Sequence, residues 1–278
     1  MIYLTELKKQ IQRKQLWMIF LFFLCVVFFD FYLTCKYYQG KPLSQIPSAS
    51  DVIIIWNSYD GSIGDLFFRS FIFILIICLI GSDTFYLEKE AGLQNFIFTR
   101  ICREHYILAQ AAAVMTVVFG ITFLTIVVSQ ILACMAFPIQ GYTVRDLIAY
   151  NSLLKTPGYM LSGLRAVSPY LNNIVYACLW GMVAAVFALF SYALGFLYHA
   201  KRYVLLLVPA IIFLVYDILI SELLSKFSGN FVLEALDINL LTRNGVGSGF
   251  VYGGILFVLT GISCLFIWKG LRDDQKLL

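Results

Sequence analysis

The stretch at residues 106–140, YILAQAAAVMTVVFGITFLTIVVSQILACMAFPIQ, decides the fold of this chain because it contains no charged residue. As a helix rising 1.5 Å per residue it would extend roughly 52 Å, well beyond the roughly 30 Å hydrocarbon core of a bilayer. It is too long for one untilted crossing and too short for a hairpin of two. We interpret it as one long helix that projects past the lipid headgroups, with Gly120 near its middle.

The composition of the whole chain leads to the same class of protein. The sequence is 61% apolar and 17% aromatic with only 13% charged residues, which excludes an ordinary soluble domain. Helices satisfy their own backbone hydrogen bonds in lipid, and the apolar runs lack the alternation that a barrel requires. The sequence therefore predicts an all-α membrane protein with a single transmembrane domain over residues 1–278. Six spans are expected, at residues 16–34, 66–82, 106–137, 173–198, 203–219 and 249–268.

The distribution of lysine and arginine predicts the orientation of these spans. If both termini are cytoplasmic, the inner segments hold twelve of the 20 basic residues in a small part of the chain, and the longer outer loops hold the rest. This is the bias that the positive-inside rule describes. We therefore expect cytoplasmic N- and C-termini in a multi-pass protein of the plasma membrane, of bacterial type.

The first fifteen residues combine apolar and basic side chains. Leu4, Leu7 and Ile11 recur at helical spacing beside Lys8, Lys9, Arg13 and Lys14. Such a pattern is typical of an interfacial helix on an anionic inner leaflet. The alternative is a disordered basic flank.

Motifs for catalysis and metal binding are missing from the sequence. It contains no G-x-x-x-x-G-K-[ST] loop for nucleotide phosphates, and its two histidines lie outside any H-E-x-x-H motif. We expect no catalytic, cofactor or metal site in this chain and no nucleic-acid partner, so the chain is not predicted to be an enzyme. The seven cysteines are scattered, and the sequence leaves open whether Cys35 and Cys134 form a disulfide.

One charged segment, DTFYLEKEAGLQNFIFTRICREH at residues 83–105, separates the second and third predicted spans. On a helical projection its apolar residues fall on one side, with Glu88 and Glu90 outside the apolar arc and Gly92 interrupting the pattern. We interpret the segment as a short helix, a bend and a second helical piece lying along the membrane, with the two glutamates facing the cytosol. A solvated loop without regular structure is the alternative.

This segment resembles the cytoplasmic loop of type-2 ATP-binding-cassette exporter permeases. That loop carries an acidic residue, an E-[RK]-x-G motif and a basic turn before a Lys or Gln that opens the next span. The matching positions here are Asp83, then Glu88 or Glu90 with Gly92, then Arg100 to Arg103, and finally Gln110. The run HAKRYVLLLVPAIIF at residues 199–213 is also similar to the polar turn and Pro-containing fifth span of that family. The proline that often precedes the basic turn is missing here.

The resemblance implies that the chain is the transmembrane permease subunit of an ATP-driven exporter. A separate cytoplasmic ATPase would hold Mg-ATP and dock on a coupling helix between the second and third spans. The residues expected at that contact are Asp83, Glu88, Glu90, Gly92, Arg100 and Arg103. A second permease chain, identical or related, would complete a dimer in the lipid membrane, and the outer loops suit an amphipathic or peptide-like cargo. The alternatives are an ion-coupled secondary transporter and a membrane-embedded immunity or interaction protein.

Three ionisable residues fall inside or beside the predicted spans near their outer ends. They are Asp30, Arg69 and Asp217. Charged groups at such positions are candidates for function by default, so we consider them an outer vestibule. Simple extension of these side chains toward the interface is the alternative.

Overall fold

The computed structural model of the chain describes residues 2–50, 72–90, 92, 101–139, 162–197, 202–226 and 249–275. We number the helices in chain order: α1 Ile2–Ile11, α2 Lys14–Tyr38, α3 Ile74–Glu90, α4 Arg103–Ala136, α5 Ser162–Val167, α6 Pro169–Leu197, α7 Arg202–Lys226 and α8 Gly249–Gln275. A 3-10 turn at Leu43–Gln45 follows α2. The described ranges contain helices and connections but no strand.

Within those ranges, five helices are long and apolar enough to cross a membrane. They are α2, α4, α6, α7 and α8. The prediction of an all-helical membrane protein is confirmed at this level, and the five helices overlap five of the six predicted spans. Helix α4 is unbroken from Arg103 to Ala136, so the interpretation of the long uncharged stretch as one helix is also confirmed.

Helix α3 differs from the predicted second span and from the predicted coupling helix. It has 17 residues in Ile74–Glu90, and the first part of the predicted span, residues 66–71, lies outside the described residues. Residues 83–90 are the last turns of α3, so the prediction that a separate coupling helix begins with them is wrong. The apolar side chains of the preceding turns and the helix-forming EKE sequence keep the backbone helical up to Glu90. The bend predicted at Gly92 is confirmed, because its φ is +65°, a conformation that favours glycine.

Helix α6 lies at the centre of the bundle. It packs against α3, α4, α7 and α8. Of the 18 consecutive residues that make up its most apolar stretch, 72% are buried. The ring of Trp180 stacks on Phe73 with centroids 5.7 Å apart, and Phe187 meets Phe213 of α7 edge to face at 5.0 Å. Because lipid is as apolar as these side chains, close packing rather than removal from water holds such helices together.

Three glycines allow the helices around α6 to approach it closely. A Cβ at Gly81 of α3 would clash with the backbone carbonyl of Ala188, and one at Gly270 of α8 would lie 2.5 Å from Phe196 Cβ. On α6 itself, a Cβ at Gly181 would lie 2.9 Å from the ring of Phe119 in α4. Small residues at such contacts are typical of packed transmembrane helices.

Helix α1 is separated from α2 by a break at Gln12 and Arg13. The prediction of an N-terminal helix is confirmed, over Ile2–Ile11 rather than the whole of residues 1–15, and a disordered flank is excluded for these residues. The helix buries polar residues and exposes an apolar one: Glu6 and Gln10 are buried, whereas Leu4 is 65% exposed. Such a distribution suits a helix that turns its polar side toward the protein.

Candidate functional site

Glu88, in the last turn of α3, is the centre of a buried polar network. Its side chain is only 3% exposed. The Oε2 atom accepts hydrogen bonds from Tyr106 Oη at 3.0 Å and from Gln110 Nε2 at 2.7 Å. The Oε1 atom accepts a hydrogen bond from Lys9 Nζ and lies 4.0 Å from the guanidinium of Arg13. The carboxylate of Glu88 thus binds side chains of α1, of α4 and of the break between α1 and α2.

The network extends beyond Glu88 in two directions. Toward the centre of the bundle, Tyr192 of α6 donates a hydrogen bond to Gln110 Oε1 at 2.8 Å. Toward the N-terminus, Lys9 Nζ lies 3.6 Å from Glu6 Oε2. We call this set of side chains the Glu88 network: Glu6, Lys9, Arg13, Glu88, Tyr106, Gln110 and Tyr192. It joins α1, α3, α4 and α6 at one end of the bundle.

Helical spacing explains how the sequence brings these groups together. Tyr106 and Gln110 are four residues apart and therefore share one face of α4. Arg13 lies in the break after α1, and it reaches the same carboxylate oxygen as Lys9. The helix dipole destabilises a negative charge at the C-terminal end of α3. The carboxylate of Glu88 therefore depends on Lys9 and Arg13 to compensate its charge.

With both glutamates ionised, the charges of the Glu88 network sum to zero, because two carboxylates stand against the cations Lys9 and Arg13. A buried carboxylate is tolerated only when it is paired and hydrogen-bonded, and Glu88 meets both conditions. Burial raises the pKa of Glu6 above its usual value; Lys9 acts against this shift and the negative charge of Glu88 adds to it. Burial therefore favours the protonated form of Glu6.

The structure places the predicted coupling residues differently from the expectation. The prediction that Glu88 faces outward is wrong: the C-terminal turn of α3 points its side chain between α1 and α4, where cations and donors surround it. Arg103 is the first residue of α4 and is partly exposed. Asp83 and Glu90 belong to α3, but their side chains, and Arg100 altogether, lie outside what the structure describes. A contact of these residues with an ATPase stays a prediction.

The three residues of the predicted outer vestibule are only partly described. Asp30 lies on α2 and is partly exposed, with its backbone carbonyl accepting a hydrogen bond from the Thr34 hydroxyl at 2.8 Å. Asp217 lies on α7 and is buried. Arg69 is outside the described residues, so the vestibule stays a prediction.

A second polar cluster, which the sequence analysis missed, lies at the opposite end of the bundle. Gln130 of α4 donates a hydrogen bond to the carbonyl of Ala49 at 2.8 Å. Asn173 of α6 donates to the carbonyl of Ser50 at 2.8 Å and to Gln130 Oε1 at 2.9 Å. We call Gln130, Asn173 and these two carbonyl groups the amide network. It fastens the connection after α2 to α4 and α6.

The sequence carried a signal for both networks, because polar residues interrupt the long uncharged stretch. Gln110 and Gln130 are its glutamines within α4, and each forms the link between helices at its own end. Glutamines in a span are expensive unless they bond to another helix. Among the described residues, no group of three or more His, Cys, Asp and Glu side chains could hold a metal ion.

Comparison with known proteins adds no assignment to this geometry. No protein-family model matches the chain, and no curated protein matches it in sequence.

Proposed function

We propose that the chain is the transmembrane permease subunit of an ATP-driven exporter of the ATP-binding-cassette class. A separate cytoplasmic ATPase would bind Mg-ATP, and a second permease chain would complete the transporter in the plasma membrane of a bacterial cell. The observation that carries this proposal is the Glu88 network, which ties the last turn of α3, within the segment at residues 83–105, to α1, α4 and α6. A force applied to that segment would reach several spans at once.

The proposed topology has six spans with both termini in the cytosol. Helix α3 would be the second span, extended by residues that precede Ile74. Ile2 of α1 and Ile267 of α8 pack against the same cluster around Tyr106 and Tyr192, which supports placing both termini on one side. The concentration of basic residues in the predicted inner segments supports assigning that side to the cytosol.

In the proposed mechanism, the ATPase docks on residues 83–105 and shifts the end of α3 when it closes on ATP. Asp83, Glu90, Arg100 and Arg103 would form the contact, with Gly92 as the bend. Glu88 would not touch the ATPase. It would instead transmit the shift, because its two oxygens bind α1 and α4 at the same time. The cargo would be amphipathic or peptide-like and would leave on the outer side.

The test is purification of the tagged chain from its native membranes, followed by identification of bound subunits and measurement of ATP hydrolysis. We expect a P-loop ATPase in the complex. Glu90→Lys combined with Arg103→Glu should release it, whereas Lys36→Glu, an exposed residue at the other end of α2, should not. Glu88→Gln should keep the ATPase bound but change the hydrolysis rate of the complex. The proposal fails if no ATPase co-purifies or if the double variant retains it fully.

An ion-coupled transporter is the second candidate, and the buried glutamates favour it. Glu6 and Glu88 are buried carboxylates that share Lys9, the kind of arrangement that can exchange a proton. Reconstituted vesicles distinguish the two candidates. Transport driven by a pH gradient without ATP, and lost in Glu88→Gln, would support the second candidate and overturn the first.

A further inference from the structure

An apolar groove of about 300 Å³ runs between α1, α2 and α4. Helix α1 contributes Leu7 and Ile11, and α2 contributes Trp17 and Phe20. Helix α4 forms the floor from Thr116 to Leu124, a distance of roughly 12 Å at 1.5 Å per residue. Three separate helices therefore shape one continuous groove.

The lining offers no polar group in need of a partner. Thr116 is its sole hydroxyl residue, and this hydroxyl donates to the carbonyl of Ala112 at 2.8 Å while lying 3.0 Å from Tyr3 Oη. The remaining lining residues are apolar, with Gly120 in the floor. An apolar occupant of such a groove gains dispersion contacts with side chains of all three helices.

The charges beside the groove indicate what that occupant carries. Of the four cations at residues 8–14, Lys9 and Arg13 face Glu88, whereas Lys8 and Lys14 are exposed. Lys8 precedes Ile11 by three residues and Lys14 precedes Trp17 by three, so each lysine neighbours a groove residue on its helix surface. Two exposed lysines thus neighbour lining residues of the groove, one on α1 and one at the start of α2.

We propose that this groove binds one acyl chain of an anionic phospholipid, whose headgroup phosphate is held by Lys8 and Lys14. The apolar lining suits the hydrocarbon chain, and the two lysines favour a negatively charged headgroup over a zwitterionic one. The proposal requires that the chain lies in a bilayer, but it does not depend on an ATPase partner. The lipid would fill the space that α1 leaves against α4 and would hold α1 in its position beside Glu88.

The structure provides a substitution that fills the groove with little disturbance. A Cβ at Gly120 would meet nothing within 4 Å, so Gly120→Leu extends into open space. Gly261 of α8 is equally open and similarly exposed, which makes Gly261→Leu the matched control. Leu124→Trp, at the far end of the groove, is a second filling variant in case Gly120→Leu does not fold.

The experiment is native mass spectrometry of the full chain released from bilayers that contain phosphatidylglycerol and phosphatidylcholine in equal amounts. We expect wild type and Gly261→Leu to retain phosphatidylglycerol, and Gly120→Leu or Leu124→Trp to lose at least two thirds of it. Each lysine near an anionic headgroup contributes about fivefold in binding, so Lys8→Gln with Lys14→Gln should bring the ratio of the two lipids close to one.

Three results would overturn the proposal. The first is equal lipid retention by the filled and control variants. The second is equal retention of both lipids by the wild type, which would remove the role of the lysines. The third is conversion of a dimer to a monomer by Gly120→Leu, which would make the groove a contact between two copies of the chain. Circular dichroism of every variant confirms that the helices are intact.

Discussion

The two ends of the bundle fasten their non-spanning segments in different ways. At one end, the Glu88 network holds α1 by means of charged groups: one buried carboxylate accepts bonds from Lys9, Tyr106 and Gln110. At the other end, the amide network holds the connection after α2 through neutral groups, in which Asn173 and Gln130 donate to backbone carbonyls. Both networks use a glutamine of α4 to reach a partner helix.

This difference determines what each end can respond to. Neutral amides keep the same hydrogen bonds at any ordinary pH, so the amide network is a fixed connection. The strength of the Glu88 network depends on the protonation of its carboxylates and on a near balance between desolvation and pairing. The end that holds Glu88 is therefore the one suited to a change of state.

The largest effect is expected from reversing the central charge. Glu88→Lys places a third cation beside Lys9 and Arg13 and leaves Tyr106 and Gln110 without their acceptor. Breaking a buried pair costs about 4 kcal/mol, so the free energy of unfolding should fall by that order. The measurement is unfolding in detergent micelles by titration with SDS. Glu104→Lys, an exposed reversal in the first turn of α4, is the control and should cost about 1 kcal/mol at most.

The amide network should give the next largest effect. Asn173→Ala removes both donated hydrogen bonds at a position that is 6% exposed and leaves Gln130 Oε1 without that donor. The expected loss is about 2 kcal/mol in the same titration, with faster hydrogen exchange in residues 43–50. Leu171→Ala, at a neighbouring exposed position, should change neither quantity appreciably. If Asn173→Ala lowered the free energy of unfolding as much as Glu88→Lys does, the expectation that the Glu88 network contributes more stability than the amide network would be wrong.

Lys8 and Lys9 are adjacent in the sequence, and only Lys9 contacts Glu88 in the structure, so substitutions of the two test whether a lysine stabilises the protein through that contact. Lys9→Met removes the ammonium group bound to Glu88, while Arg13 at 4.0 Å retains part of the compensation. We expect a loss of about 1 kcal/mol, because Lys9 is partly exposed and solvent screens the pair. In lipid-free detergent micelles, where no phospholipid occupies the groove, Lys8→Met should be neutral within about 0.5 kcal/mol. Equal effects of the two variants would show that Glu88 does not depend on Lys9.

The smallest effect is expected from pH. The folded-state pKa of Glu6 is raised from the usual 4.5, chiefly by burial, so the folded chain binds this proton more tightly than the unfolded chain. The resulting stabilisation is complete below pH 4.5 and is lost as the pH rises through the folded-state pKa. Glu6→Gln should therefore gain stability relative to wild type as the pH is raised from 4 to 7. The same pH series with Asn173→Ala should show a constant difference from wild type.

The sequence predicted the helices better than their contacts. Uncharged length alone located α4, because no other structure satisfies its backbone in lipid. The sequence predicts that the second span ends at residue 82, where charged side chains begin, whereas the helix itself extends further. A helix continues through charged residues when its backbone bonds are intact, and α3 extends to Glu90 on that basis.

Glu88 shows why the candidate site was harder to predict than the fold. A helical projection of residues 83–105 considers only that segment, and in it Glu88 falls on the polar side. The side chain turns inward because α1, far away in sequence, supplies Lys9 to it. The open question of Cys35 and Cys134 is of the same kind: both thiols are free and pack around the cluster of Tyr38 and Phe137, a proximity that no local pattern contains.

The close approach of Gly81, Gly181 and Gly270 has a consequence for how this sequence can change over time. Each of these contacts involves α6, so a side chain added at any of them pushes a neighbouring helix away from the centre. Positions such as Gly254 and Gly261, where a methyl group meets open space, accept larger residues without that penalty. In relatives of this chain the two groups of glycines should therefore diverge at different rates, and the slow group would mark the helix around which the bundle is assembled.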